Sequence, residues 1–83
     1  MKITVKYFAG IREALGVGSE VRDTLAPTLA GLRDELIALG GEHAQALARG
    51  KAVRLALNQV MCDESAALSD GAEVAFFPPV TGG

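Results

Sequence analysis

One leucine stripe at helical spacing, Leu29, Leu32, Leu36 and Leu39 with Ile37 widening it, stands inside 83 residues whose other apolar segments alternate with period two. A single stripe can cover only one face of a sheet, so periodicity alone predicts a mixed sheet with one main helix across it. Pro27-Thr28 opens the helix, with Thr28 as N-cap, and Gly40-Gly41 closes it. Arg33, Asp34 and Glu35 are expected to face water. Asp34 and Glu35 are adjacent, hence about 100° apart on a helix, and make a poor acid–base pair.

Before the helix, Lys2-Ile3-Thr4-Val5-Lys6-Tyr7 alternates polar and apolar, which turns Ile3, Val5 and Tyr7 inward. Phe8 then falls in phase with the outward Lys2, Thr4 and Lys6. Ala9 to Leu15 fits a short helix broken by Gly16-Val17-Gly18, which lacks the third glycine and the long following helix of a nucleotide loop. Ser19 to Leu25 reads as a second strand, with Val21 and Leu25 inward. Beyond the main helix, Glu42 to Arg49 fits another helical segment, closed by Gly50, with His43 exposed. His43 has only Glu42 beside it and no partner at metal-ligand spacing. Val53, Leu55 and Leu57 alternate inward, and Asn58-Gln59 turns the chain into a short Val60-Met61 strand. Cys62 stands beside Asp63 and Glu64, which would raise a thiol pKa, so it reads as structural or incidental.

Composition narrows the function classes. Eight Lys and Arg against ten Asp and Glu, scattered along the chain, leave no electrostatic footprint for nucleic acid. No apolar run has the length of a membrane span, and no signal-peptide core follows Met1, so a cytoplasmic chain with no membrane partner is expected. A single cysteine excludes an internal disulfide framework and any cluster of several thiolates, and the chain shows no P-loop, no metal set and no nucleophile–base pair.

The chemistry is predicted at the C-terminus. After the turn Leu68-Ser69-Asp70-Gly71, Glu73 to Phe77 reads as a strand, and Pro78-Pro79 ends it because neither residue has an N–H for a ladder. The division is a folded domain over residues 1–77 and an extended tail over 78–83. Val80 and Thr81 continue the arm, and the sequence closes on Gly82-Gly83, a side-chain-free end that can thread a narrow tunnel and present its carboxylate to another protein. If Val74 and Phe76 face the helix, Phe77 faces away beside Phe8, which makes a candidate docking patch.

The run from Asp70 through Phe76-Phe77-Pro78-Pro79-Val80-Thr81-Gly82-Gly83 resembles the C-terminus of the small, sulfur-carrying subunits of molybdopterin synthase. Val5-Lys6-Tyr7-Phe8-Ala9-Gly10-Ile11-Arg12-Glu13 and Leu57-Asn58-Gln59 match that family in the same order. The resemblance implies an α+β β-grasp (ubiquitin-like) roll, with the first and last strands parallel at its centre. It implies that an ATP-dependent, E1-like enzyme adenylates Gly83, that a thiocarboxylate replaces the adenylate, and that the tail enters the large subunit of a heterotetramer with two of each chain. The sulfur then converts cyclic pyranopterin monophosphate (precursor Z) to molybdopterin. On this reading Gly83 carries the sulfur, Gly82 with Thr81, Val80, Pro79 and Pro78 makes the inserted arm, and Phe8 and Phe77 meet the partner. The chain itself binds no cofactor; ATP belongs to the activating enzyme. A related carrier for thiazole synthesis, a ubiquitin-like protein modifier and a plain β-grasp binding module stay open as alternatives.

Overall fold

The computed structural model describes residues 1–78. Five strands and three helices follow one another as β1 (Lys2–Tyr7), α1 (Ala9–Leu15), β2 (Ser19–Asp23), α2 (Leu29–Ala38), α3 (Gly41–Ala46), β3 (Arg54–Leu57), β4 (Val60–Cys62) and β5 (Glu73–Phe77). The strands form one sheet in the order β2-β1-β5-β3-β4. Only the central β1–β5 pair is parallel, with Val5 opposite Val74 and Tyr7 opposite Phe76. A parallel pair needs a long crossover, and everything between Phe8 and Ala72 supplies it. This is the ubiquitin-like β-grasp roll that the resemblance implies.

The core is built from the alternation. Ile3, Val5 and Tyr7 of β1, Val74 and Phe76 of β5 and Leu55 of β3 are buried in one cluster with Leu29, Leu32 and Leu36 of α2. Thr28 caps α2, its hydroxyl accepting from the Gly31 amide at 3.3 Å. The amides of Leu29 and Ala30, orphans of the first helical turn, donate instead to the carbonyls of Ala66 and Glu64. The β4–β5 connection is thereby laid across the start of α2. It then reaches Asp70-Gly71, where the Lys2 amide donates to Asp70 Oδ1 at 2.7 Å and the Gly71 amide to the Lys2 carbonyl at 2.7 Å. These bonds set β5 in register beside β1. Asn58 and Gln59 both take positive φ, 50° and 69°, the pattern of a two-residue I′ turn, and so join β3 to β4.

Four expectations are corrected. Val21 and Leu25 do not face inward: Val21 is 63% exposed, and Leu25, past the end of β2, is 93% exposed. Register explains it, since Glu20 lies opposite Val5 and Arg22 opposite Ile3, which leaves Val21 with Thr4 on the outer face. On an edge strand the stems of Glu20 and Arg22 can lie toward the core while their charged ends find partners. His43 is not free in solvent either. Its Nε2 lies 3.3 Å from Glu20 Oε2, and its ring meets Tyr7 edge-on at 6.2 Å. The stripe also ends early, because Leu39 caps α2 and is exposed.

The fourth correction is Arg33, which is buried rather than facing water. Its guanidinium donates to the carbonyls of Leu47, Ala48 and Lys51 at 2.7–3.1 Å, with Glu64 3.4 Å away. The helix α3 stops at Ala46 and not at Arg49, and the arginine caps the carbonyls that follow it. Arg33→Met should therefore lower stability by about 3 kcal/mol, because it leaves the buried Leu47 carbonyl without its donor and takes from Glu64 one of its two arginine partners. Urea titration of the variant reads this out; an unchanged midpoint would refute the clamp.

The Glu20 cluster gives a pH dependence. Burial pushes the Glu20 carboxyl up, but hydrogen bonds from His43, Arg22 and Tyr7 outweigh it and hold the group below its ordinary 4.5. A depressed carboxyl contributes stability that is complete above its unfolded value and is lost as pH falls through the folded one. Melting temperature should thus fall below pH 4.5 in the wild type. Glu20→Gln should flatten that part of the curve, which thermal melts across acid buffers will check.

Candidate functional site

The parallel pairing of β1 with β5 delivers aromatic rings to both faces of the sheet. Tyr7 and Phe76, opposite one another in register, stack on the helix side at 6.1 Å between centroids. One residue further on, Phe8 and Phe77 stack on the other side at 4.6 Å, with 9° between ring planes. The Phe8 amide donates to the Phe76 carbonyl at 3.2 Å, so the ladder carries on to the last rung before the tail. Phe76 is fully buried, Phe8 is 39% exposed and Phe77 half-buried. The predicted phase of the last strand holds.

The outer face continues across the sheet. Register places Lys6 beside Ala75, Ala75 beside Ala56 and Ala56 beside Met61. Ala56 and Ala75 have short side chains and almost no exposed surface, so they form a flat floor between the phenylalanine pair and Met61, which is 54% exposed. Lys6 and Glu73 pair at 3.3 Å along one border. Arg54, opposite Phe77, stands at the end where the tail begins. The result is an apolar strip with a charged rim, the make-up of a protein interface rather than of a small-molecule pocket.

Sequence reasoning found Phe8 and Phe77 and missed Met61. The signal was present: a two-residue turn at Asn58-Gln59 forces Leu57 opposite Val60 and hence Met61 outward beside Ala56. Cys62 lies opposite Leu55 on the helix side, half-buried at the margin of the core, away from the strip. Among the described residues no three His, Cys, Asp or Glu side chains are placed to hold a metal ion. Among the same residues no helix is long and apolar enough to cross a membrane. Pro78 is half-buried at the end of β5. The remaining predicted tail residues, Pro79, Val80, Thr81, Gly82 and Gly83, lie outside the described residues.

Comparison with known proteins agrees over the full length. The ThiS family model matches residues 5–83. The chain is 42% identical over 81 residues to the molybdopterin synthase sulfur carrier subunit of Escherichia coli (strain K12), covering 98% of this chain and 99% of that one. Among solved structures it is similar to SAMP1 from Haloferax volcanii, with a TM-score of 0.78 and 25% identity over the whole of both chains. It is also similar to a chain in the complex of subunits 1 and 2 of the molybdopterin-converting factor from Helicobacter pylori 26695, with a TM-score of 0.70 and 27% identity, again over both chains in full. With a family match over nearly every residue and a relative this similar from end to end, the chain belongs to the ThiS family.

Proposed function

We propose that this chain is the sulfur carrier subunit of a molybdopterin synthase. One observation carries the reading: an outward Phe8–Phe77 stack stands at the root of a six-residue tail ending in Gly82-Gly83. The stack gives a partner its grip, and the glycines give it a terminus narrow enough to draw into an active site.

The chemistry follows from the carboxylate. Gly83 is a poor electrophile as it stands, because displacement would expel oxide. Attack of one carboxylate oxygen on the α-phosphorus of ATP releases pyrophosphate and leaves an acyl-adenylate. Hydrosulfide then adds to the acyl carbon and AMP departs, leaving a thiocarboxylate. Its sulfur bonds to a side-chain carbon of cyclic pyranopterin monophosphate as a C–O bond there breaks and the oxygen substituent leaves. Hydrolysis of the acyl–sulfur bond then leaves the sulfur on the pterin and returns the Gly83 carboxylate. A dithiolene has two sulfurs and each carrier one terminus, so two loaded carriers are used per molybdopterin. An E1-like enzyme performs the first two steps and the large subunit the last, in an assembly of two of each chain. No cofactor is held by the carrier, and the reactions run in the cytoplasm.

Cys62 takes no part in this scheme. Cys62→Ser should leave molybdopterin formation within about twofold of wild type when carrier, large subunit, activating enzyme, ATP and a sulfur source are reconstituted, as for other substitutions away from the chemistry. Loss of activity in a folded variant would put a thiol step into the mechanism and overturn the scheme as drawn. The likeness to SAMP1, a small archaeal modifier protein, supports a second use in which a lysine amine rather than sulfur displaces AMP. Lysine-linked adducts of the chain in its host would establish that use.

A further inference from the structure

Arg54 opens β3 directly opposite Phe77, the residue that closes β5. It lies two residues from Ala56 on the same strand, hence on the outer face with Ala75, Lys6 and the phenylalanine pair. The two cations of that face in the rows beside Ala75 and Phe77 differ. Lys6 is neutralised by Glu73 at 3.3 Å, whereas Arg54 forms no ion pair among the described residues and is exposed. By contrast, Arg49 is engaged by Asp34 and Glu64, and Arg22 by Glu20. An exposed guanidinium without a carboxylate, set against an aromatic stack at the mouth of the tail, is a directional group with its fork of donors unfilled.

We propose that Arg54 recognises a carboxylate on the large subunit, placed beside the apolar pocket that receives Phe8 and Phe77. The inference rests on the docking role of that pair. Continuity with the tail root commits the site to this partner: Arg54 lies opposite Phe77, the last residue of β5, on the face that carries the proposed docking pair. The pair acts mainly on encounter and register. A lone rim charge steers association and fixes orientation, while the phenylalanines hold the complex together. The arginine thus selects its own large subunit from surfaces of similar apolar shape.

Stopped-flow and equilibrium binding to the purified large subunit test this with Arg54→Gln, Arg54→Glu and Phe77→Lys, each first shown to be fully folded at the assay temperature. Arg54→Glu should weaken binding by about tenfold or more, mostly through the on-rate. Arg54→Gln should fall between it and the wild type, with an on-rate less sensitive to salt. If Phe77→Lys weakens binding while Arg54→Glu does not, the arginine has no such role and the docking face stands without it. If Phe77→Lys also binds like wild type, the docking reading itself fails. If the Arg54 variants change only self-association in sedimentation, or only binding to the activating enzyme, the cation serves solubility or another partner and the proposal is wrong.

Discussion

A chain lacking Gly83, or extended by one residue beyond it, is expected to form no molybdopterin while melting like the wild type. Both halves of that expectation have a physical basis. Among the described residues the buried cluster ends at Phe76, within β5, and Gly83 has no side chain to add to it. In the proposed chemistry the reacting group is the terminal carboxylate, and adding or removing one residue moves it by up to about 3.3 Å along the chain. A misplacement of even an ångström costs catalysis heavily. Reconstituted molybdopterin formation that persists in either variant would remove the C-terminus from the chemistry.

The second large effect separates two adjacent phenylalanines. Phe76→Lys should unfold the domain: the side chain is fully buried and stacked on Tyr7, and a lysine there is a desolvated charge beside a cavity. The loss exceeds about 4 kcal/mol, close to the whole stability of a domain this small. Phe77→Lys should leave the fold nearly intact, at a cost of about 1 kcal/mol, since its charge can reach water in the free carrier. On docking, that charge meets an apolar surface, and loss of the aromatic anchor should weaken partner binding by about 2 kcal/mol or more. Thermal melts and a pull-down with the large subunit decide it. A Phe77→Lys chain that melts early beside a stable Phe76→Lys chain would invert the strand phase and dissolve the docking face.

These two residues also show what a one-dimensional reading can reach. Period-two alternation in β1 and β5 placed Tyr7 and Phe76 inside and Phe8 and Phe77 outside, because central strands bury one whole face and leave little freedom of phase. The edge strand β2 defeated the same logic. Its neighbour β1 fixes the register, and there the half-buried positions belong to Glu20 and Arg22, which pair with each other while Glu20 also meets Tyr7 and His43 from far away in sequence. Arg33 was illegible for the same reason, since its partners are carbonyls at 47, 48 and 51 that no local pattern ties to position 33. Met61 could have been found from hairpin geometry alone. The parallel β1–β5 pairing came from the family resemblance, not from periodicity.

The central claim is that the sulfur rides on the C-terminal glycine. Intact-mass analysis of the protein purified from its own host, under conditions that demand molybdopterin, tests it most directly. The account predicts a population in which one sulfur replaces one oxygen, mapped by fragmentation to Gly83 and unchanged in Cys62→Ser. A terminus that remains a plain carboxylate throughout, even after incubation with the activating enzyme, ATP and a sulfur source, would contradict it.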